Sequence, residues 1–263
     1  MGGGEEMEHI DLNCDLGESY GAYTLGKDDL VIPYISSANV ACGFHASDPM
    51  VMSKTVGWCK EHNVSVGAHP GFPDLVGFGR RNMAVTPEEA KTMVQYQVGA
   101  LMAFCQAYKI SLQHVKPHGA LYNMAGKDYT LAKAICEGVK EISPNLIMLV
   151  LCGSEMERAA KDLGMNVARE VFADRGYEED GSLVDRRIPG AIIHNEEEAI
   201  HRVVRMIKEK KVVTVTGKVI PIYPDSVCVH GDGEKALLFV KRLREAFTLN
   251  QIGIQCLTDI RNL

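Results

Sequence analysis

The stretch Asn13-Cys14-Asp15-Leu16-Gly17-Glu18 decides the fold, because it places two carboxylates at the end of the strand-like run 10–14. The same succession of strand, turn and ionisable side chain recurs five more times along the chain. The recurrences are Cys42-Gly43-Phe44-His45, Ala68-His69-Pro70-Gly71, Lys116-Pro117-His118-Gly119, Phe172-Ala173-Asp174-Arg175 and Val229-His230-Gly231-Asp232. In a β/α barrel the carboxyl ends of all strands meet on one face, which carries the active site. An open sheet would gather such groups at a single switch point, so six polar strand ends favour a barrel.

Short apolar or β-branched runs alternate with segments of 3.6-residue periodicity along the whole chain. The strand-like runs are 10–14, 37–42, 64–68, 112–116, 146–151, 167–172, 212–216, 226–229 and 252–257. Repeated β–α alternation implies parallel strands with right-handed crossovers. Thr86-Pro87-Glu88-Glu89 predicts a helix that begins with a capping box, and Asp48-Pro49 predicts another helix start. We therefore predict one α/β barrel domain over residues 1–263, with residues 1–7 as an N-terminal extension and 176–187 as a loop or lid.

Composition excludes several classes of protein. The 263 residues carry a net charge of −6, and no basic run is longer than the short stretch 208–211, so we expect no nucleic acid partner. The eight cysteines form no CxxC pair, which is typical of buried thiols in a reducing compartment. No signal peptide and no membrane-spanning run is recognisable, so we expect a cytoplasmic protein without membrane association.

A divalent metal is one interpretation of the polar strand ends. Asp15, His45 and His69 follow three successive strands, which would be neighbours in a barrel, and imidazoles and carboxylates are good ligands for zinc-like ions. Their spacing is not a local motif, so a metal-free hydrogen-bonded network in which His and Asp transfer protons stays open. His114 and His118 have the spacing of a helical metal pair, but Pro117 argues against a helix, and His114 is expected to be structural.

No phosphate-binding loop is recognisable, since GxxxxGK[ST] and GxGxxG are both absent. Two arginines, Arg80 and Arg81, lie in a glycine-rich segment and could hold a carboxylate or phosphate by bidentate contacts, or could be solvated surface side chains.

Six segments together resemble the LamB/YcsF family, which comprises one of the subunits of bacterial 5-oxoprolinases. They are Asp11-Leu12-Asn13-Cys14-Asp15-Leu16-Gly17-Glu18, Ser37-Ala38-Asn39-Val40-Ala41-Cys42-Gly43-Phe44-His45-Ala46, the stretch from Gly67 to Arg81, Val115-Lys116-Pro117-His118-Gly119-Ala120-Leu121-Tyr122-Asn123, Glu170-Val171-Phe172-Ala173-Asp174-Arg175 and Val229-His230-Gly231-Asp232. The resemblance covers about residues 8–257. It implies a seven-stranded β/α (TIM-like) barrel similar to those of glycoside hydrolases and polysaccharide deacetylases.

The resemblance also implies an activity. The family's complexes open 5-oxo-L-proline to L-glutamate with hydrolysis of ATP. Subunits B and C are thought to activate the lactam by phosphorylation, and the LamB/YcsF chain would hydrolyse the activated species. ATP would thus be a cofactor of the complex, which fits the lack of a nucleotide motif here. A homo-oligomer is left open.

The candidate residues divide by expected role. We expect Asp15 to act as general base or metal ligand, with His45 and His69 beside it. Lys116 and His118 would stabilise the developing anion or protonate the ring nitrogen, and Asp232 would orient His230. Substrate-binding candidates are Arg80, Asp174 and Arg175, of which either arginine could hold the substrate carboxylate.

Two rival functions use the same residues: a metal-dependent deacetylase, and a non-catalytic protein that binds the substrate and presents it to partners. The chain also departs from the family pattern at Ser47, where glycine is usual, and at Asp185, where an uncharged residue is expected. Ser47 could alter the loop beside His45, but neither departure removes a polar strand end.

Overall fold

A computed structural model describes residues 7–230 and 236–261, with the side chains of His230 and Arg261 left out. The strands are β1 Glu8–Leu16, β2 Ser37–Ala41, β3 Ser65–His69, β4 Leu112–Val115, β5 Ile147–Leu151, β6 Asn166–Phe172, β7 Lys211–Val213, β8 Val219–Pro221, β9 Ser226–His230 and β10 Ile252–Ile254. The helices are α1 Asp28–Val31, α2 Pro49–Glu61, α3 Pro87–Ala107, α4 Gly119–Ala125, α5 Tyr129–Ile142, α6 Glu155–Asp162, α7 Glu196–Glu209, α8 Ala236–Leu249 and α9 Leu257–Arg261, and a 3-10 turn spans Ile32–Tyr34.

Seven parallel strands, β1 to β6 and β9, close into a barrel. Closure is visible at β1, where Asn13 is the register partner of Ser37 on β2 and also of Cys228 on β9. Because β1 has a neighbour on both sides, the sheet formed by these seven strands has no open edge. The predicted barrel is therefore confirmed, and the open sheet is excluded.

The two faces of β1 show why the strand folds in this way. Ile10, Leu12, Cys14 and Leu16 are at most 1% exposed and belong to the main apolar core. The residues between them are polar, and successive strand side chains point to opposite faces. Asp11, Asn13 and Asp15 therefore share the other face, inside the barrel. The barrel interior thus carries a polar column that leads to the site.

Local signals set the helix starts, as predicted. At α3 the Thr86 Oγ1 accepts from the Glu89 backbone N at 3.2 Å, and the Glu89 Oε2 accepts from the Thr86 backbone N at 2.7 Å. At α2 the Asp48 carboxylate accepts from the backbone N of Met50 at 2.8 Å. These side chains satisfy amide groups that have no partner within the helix. Both predicted helix starts are confirmed.

Two of the nine predicted strands do not belong to the barrel. The run 212–216 is expected to be parallel, but β7 pairs antiparallel with β8 in a separate two-stranded hairpin. The run 252–257 contains only the short β10, which pairs with the first residues of β1, and α9 begins at Leu257. The first run is predicted wrongly in direction and in sheet, because short β-branched runs do not reveal which sheet they join. The second run is a parallel strand as expected, but only over Ile252–Ile254. Within the described part of the chain, no helix has the length and apolar character needed to cross a membrane.

Candidate active site

A buried ammonium group lies at the centre of the polar barrel end. The Nζ of Lys116, directly after β4, is 2.8 Å from Oδ1 of Asp15 and 2.8 Å from Oε1 of Glu170. The side chains of Lys116 and Glu170 are 3% and 0% exposed, whereas that of Asp15 is 13% exposed. Asp15 is therefore the member of this trio that reaches toward solvent.

The charge state of Lys116 follows from these contacts. Burial by itself would lower the pKa of Lys116, but the neighbouring carboxylates of Asp15 and Glu170 and the Cys228 sulfur outweigh it and raise this pKa well above its ordinary value. Lys116 is thus a fixed cation that cannot act as a base at neutral pH. Tyr122 donates a hydrogen bond from its hydroxyl to Glu170 Oε2 at 2.8 Å, which fixes the second carboxylate.

Amide side chains inside the barrel hold Asp15 in place. The Asn39 Nδ2 donates to Asp15 Oδ1 at 2.8 Å and to Asn13 Oδ1 at 2.7 Å. The Oδ1 of Asn39 accepts from the Nε2 of His114 at 2.7 Å. Burial lowers the pKa of His114 to about 3. The prediction that His114 is structural is therefore supported by its place within the barrel, where it orients Asn39 and through it Asp15.

A second cluster lies beside this trio. Its members are Glu18 after β1, His45 after β2, His69 at the end of β3 and His118 immediately before α4. One ligand atom from each lies within 4.8 Å of the others. The Nε2 of His69 is also 3.3 Å from Oδ2 of Asp15, which joins the two clusters. The strand ends therefore converge as the sequence predicts.

Hydrogen bonds to backbone carbonyls define the tautomers of two imidazoles. The Nδ1 of His69 is 2.7 Å from the Lys116 carbonyl oxygen, and the Nε2 of His118 is 2.8 Å from the Phe78 carbonyl oxygen. Because a carbonyl oxygen only accepts, both of these ring nitrogens carry hydrogen. The remaining nitrogens, His69 Nε2 and His118 Nδ1, face each other at 3.0 Å.

His45 is held differently from the other two histidines. Its ring is 1% exposed, and neither of its nitrogens has a hydrogen-bond partner among the described residues. It stacks on His118 with ring centroids 3.7 Å apart and an interplanar angle of 1°. Burial, together with the neighbouring imidazoles, lowers the pKa of His45 well below its ordinary value. Burial likewise lowers the pKa of His118 to about 3, so the stack consists of neutral rings.

Glycines make room for the stacked rings. A Cβ on Gly71 would lie 2.6 Å from the His45 Nδ1, and a Cβ on Gly79 would lie 2.7 Å from the His45 Cβ. Gly79 also has a φ of +62°, which disfavours any residue with a side chain. These contacts explain the glycines at positions 71 and 79.

Asp15 and Lys116 of the trio, together with Glu18, His69 and His118 of the second cluster, line a cleft of about 1310 Å³. The predicted loop 176–187 forms one wall, through Glu178, Ser182 and the segment 183–188. The lining has seven basic and five acidic side chains, histidines aside, although the chain as a whole carries a net charge of −6. The cleft is therefore locally cationic and suited to an anionic ligand.

The predicted substrate-binding residues occupy different environments. Arg80 is exposed on the cleft wall, with its guanidinium 4.9 Å from the centre of the Phe78 ring. Arg175 is 4% exposed and donates to the carbonyl oxygens of Val184 at 2.7 Å and Ala191 at 3.3 Å, so it holds the loop wall. Asp174 does not line the cleft formed by the described residues.

The predicted pair at the end of β9 lies largely outside the described residues. The backbone of His230 is the register partner of Asp15, whereas the His230 side chain and the whole of Asp232 are not described. Their expected pairing stays a prediction.

Two carboxylates of this site, Glu170 and Glu18, are not among the candidate site residues predicted from the sequence. Glu170 lies within β6, two residues before the strand ends, and the prediction covers only positions past strand ends. Its signal is a charged residue inside an apolar strand, since a fully buried carboxylate needs a partner. Glu18 lies in the segment 13–18 at the end of the first predicted strand. It approaches His45 only because the chain turns at Gly17, whose φ is +69°.

Comparisons with known proteins find relatives over nearly the whole chain. Residues 10–262 match the family model described as the LamB/YcsF family. The chain is 68% identical over 248 residues to the 5-oxoprolinase A subunit of Clostridium beijerinckii, covering 94% of this chain and 97% of that protein. It is 53% identical over 253 residues to the 5-oxoprolinase A subunit of Campylobacter jejuni subsp. doylei, covering 96% and 99%.

A solved structure adds a comparison of the folds. The lactam utilization protein of Thermus thermophilus superposes with a TM-score of 0.89 at 44% identity and covers 94% of this chain and 99% of that chain. With a family model that spans nearly all of its residues, this chain belongs to the LamB/YcsF family.

Proposed function

We propose that this protein is the A subunit of a 5-oxoprolinase, a hydrolase that opens the cyclic amide of 5-oxo-L-proline to give L-glutamate. The observation that carries the proposal is the 2.8 Å pair between Asp15, a carboxylate on the cleft wall, and Lys116, a buried cation. A base beside a fixed positive charge is what hydrolysis of an amide-like carbon requires. The relatives named as 5-oxoprolinase A subunits support this assignment.

Because those relatives are named as subunits, they support a multi-subunit enzyme, and we assign its other parts to subunits B and C in the cytoplasm. In this proposal they use ATP to phosphorylate the lactam oxygen, and the present chain acts on the activated lactam. A lactam is a stable amide, so activation makes its carbonyl carbon more electrophilic before water attacks.

The chemistry of the activated lactam sets a requirement on the site. Addition of water to the ring carbon gives a tetrahedral adduct that bears nitrogen, a hydroxyl oxygen and the phosphorylated oxygen. If phosphate leaves first, the C–O double bond re-forms and the lactam is regenerated. If the protonated nitrogen leaves first, the C–N bond breaks, the ring opens to an acyl phosphate, and a second water releases glutamate and phosphate. The site must therefore deliver a proton to the nitrogen.

Asp15 and Lys116 can meet this requirement. Asp15 takes a proton from the attacking water through Oδ2, since its Oδ1 is engaged by Lys116 and Asn39. It then returns that proton to the ring nitrogen. The ammonium of Lys116, held by Glu170 on its other side, stabilises the charge that develops on the adduct. His118 is given no proton-transfer role here, because its two nitrogens face the Phe78 carbonyl and His69.

The cleft suits the activated substrate better than a small neutral molecule. At about 1310 Å³ it exceeds what a single small lactam fills, and its lining has a surplus of basic side chains. We assign the substrate carboxylate to Arg80, because Arg175 uses its guanidinium to hold the carbonyls of the loop wall.

The decisive experiment measures 5-oxoproline-dependent ATP hydrolysis and glutamate release by subunits B and C, with and without this chain. Glutamate is expected only when all three proteins are present, and this chain alone should hydrolyse no ATP. Glutamate release by B and C without this chain would refute the assignment, as would undiminished release with Asp15→Asn in its place. The second result would leave a substrate-binding protein without a catalytic role.

A further inference from the structure

The histidine cluster has features that the proposed hydrolysis does not use. His69 and His118 each have one ring nitrogen bound to a backbone carbonyl, and their other nitrogens face each other at 3.0 Å. Two facing ring nitrogens at that distance need a proton or a metal cation between or beside them, because two lone pairs would repel. Metal-bound histidines nearly always donate their second N–H to a carbonyl or carboxylate, which is the arrangement of both rings.

Three separations in the cluster are close to those of a small coordination sphere, and all of its ligand atoms lie within 4.8 Å of one another. Glu18 Oε1 lies 3.5 Å from His45 Nε2 and 3.7 Å from His118 Nδ1. A tetrahedral ion with nitrogen and oxygen ligands at about 2.0–2.2 Å would separate its ligands by about 3.3–3.6 Å. Of the observed separations, 3.5 Å lies within that range, 3.0 Å lies below it and 3.7 Å lies just above it.

His45 supplies an independent observation. It is 1% exposed and has no hydrogen-bond partner on either nitrogen among the described residues, which is costly for a buried polar ring. A metal ion would satisfy its Nε2. The prediction from sequence names Asp15, His45 and His69, whereas the geometry groups His45 and His69 with Glu18 and His118.

We propose that Glu18, His45, His69 and His118 bind one divalent ion of the zinc class, separate from the Asp15–Lys116 pair. Three imidazoles and one carboxylate favour ions of intermediate softness, such as Zn²⁺ or Co²⁺, over Mg²⁺ or Ca²⁺. Asp15 is not assigned as a ligand, because it does not belong to the group of side chains whose ligand atoms all lie within 4.8 Å of one another, and its Oδ1 contacts Lys116 and Asn39. The proposal does not depend on the substrate or on the partner subunits.

The ring stack defines which side chain moves on binding. An ion cannot lie in both planes of the parallel His45 and His118 rings, which are 3.7 Å apart between centroids. His118 is oriented through both of its nitrogens, whereas His45 is oriented by packing alone. We therefore assign the rotation to His45, whose Nδ1 borders the space left by Gly71.

The test uses the full-length chain, freed of metal with a chelator and then titrated with Co²⁺ and, in competition, with Zn²⁺. We expect one ion per chain and a four-coordinate cobalt spectrum without sulfur charge-transfer bands, because no cysteine belongs to the cluster. Glu18→Gln and His118→Asn should each weaken binding at least about 10-fold. His62→Ala, which removes an exposed histidine at the end of α2, should bind as the wild type does.

Several outcomes would overturn the proposal. The wild type could fail to bind one ion per chain, or its cobalt spectrum could show sulfur ligands. Glu18→Gln could bind the ion as tightly as the wild type does. Asp15→Asn could lose the ion while Glu18→Gln keeps it. Circular dichroism checks the fold of each variant. If His118→Asn does not fold, the nearly isosteric Glu18→Gln decides, since its side chain is partly exposed at 10%. Because no substrate or ATP is present, failure here leaves the proposed hydrolysis untouched.

Discussion

The Nζ of Lys116 lies 2.8 Å from Oδ1 of Asp15, although 101 positions separate the two residues in the chain. The Lys116 side chain is 3% exposed and that of Asp15 is 13% exposed, so the cation is buried and its partner borders the cleft. In the proposed hydrolysis, this asymmetry is the reason why Lys116 is expected to stabilise charge and Asp15 to transfer protons. It also leads to predictions that separate catalysis from stability.

Asp15→Asn should abolish most of the activity while the protein stays folded. Loss of a residue that transfers protons lowers turnover by about 10²–10⁴-fold, and glutamate and phosphate release should fall together. Both products are measured in the complex of three subunits. Asp29→Asn, the same change at an exposed site in α1, is the control and should leave turnover unchanged. Continued phosphate release without glutamate would show that another group activates water.

Lys116→Met should destabilise the fold strongly, because it leaves Glu170 and Asp15 without their shared cation. Removing one partner of a buried ion pair costs about 3–5 kcal/mol, which denaturant unfolding would detect. The exposed change Lys60→Met should stay within about 0.5 kcal/mol of the wild type. Adding Glu170→Gln to Lys116→Met should recover part of the loss, so strict additivity of the two variants would contradict the pairing.

Gly67→Ala tests the packing inside the barrel. A Cβ at this position would lie 2.0 Å from the Nε2 of His114, whose hydrogen bond to Asn39 keeps the ring in place. Overpacking of this kind typically costs about 1–3 kcal/mol. Gly99→Ala in α3 meets no atom within 4 Å and should instead stabilise the protein by about 0.5–1 kcal/mol. Equal effects of the two substitutions on thermal unfolding would refute the contact.

Asp11 should make stability depend on pH. It is fully buried, and burial raises its pKa to about 6 even though three serine hydroxyls donate to it. Its pKa in the unfolded chain is about 3.9, so the folded state binds this proton more tightly. The free energy of unfolding should therefore fall as pH rises from about 4 to about 6, by up to about 3 kcal/mol.

Asp11→Asn provides the comparison for that pH dependence. The variant lacks the titrating carboxyl, so the difference in unfolding free energy between wild type and variant should change over this pH interval and be constant above it. Denaturant titrations at several pH values measure the difference. A difference that is constant between about pH 4 and pH 7 would show that the carboxyl titrates as it does in water.

Much of the architecture was determined by the sequence alone, because its signals are local. Alternation of apolar and polar residues predicts β1, and the Thr86 and Glu89 side chains start α3 through hydrogen bonds within a few residues. Polar groups past parallel strands must converge once the sheet closes, and this placed Asp15, His69 and Lys116 together correctly. These conclusions required only strand direction and order.

Only the tertiary structure decided which side chains meet. Glu170 reaches Lys116 from within β6 because the barrel closes and its strands are staggered, which no local pattern encodes. Glu18 joins His45 through the turn at Gly17 and not through strand order. The runs 212–216 and 252–257 resemble barrel strands in composition, yet the first pairs antiparallel with β8 and the second pairs only with the start of β1, because pairing depends on long-range register and space. Local chemistry thus defines the elements, whereas barrel closure defines the contacts on which the proposed chemistry rests.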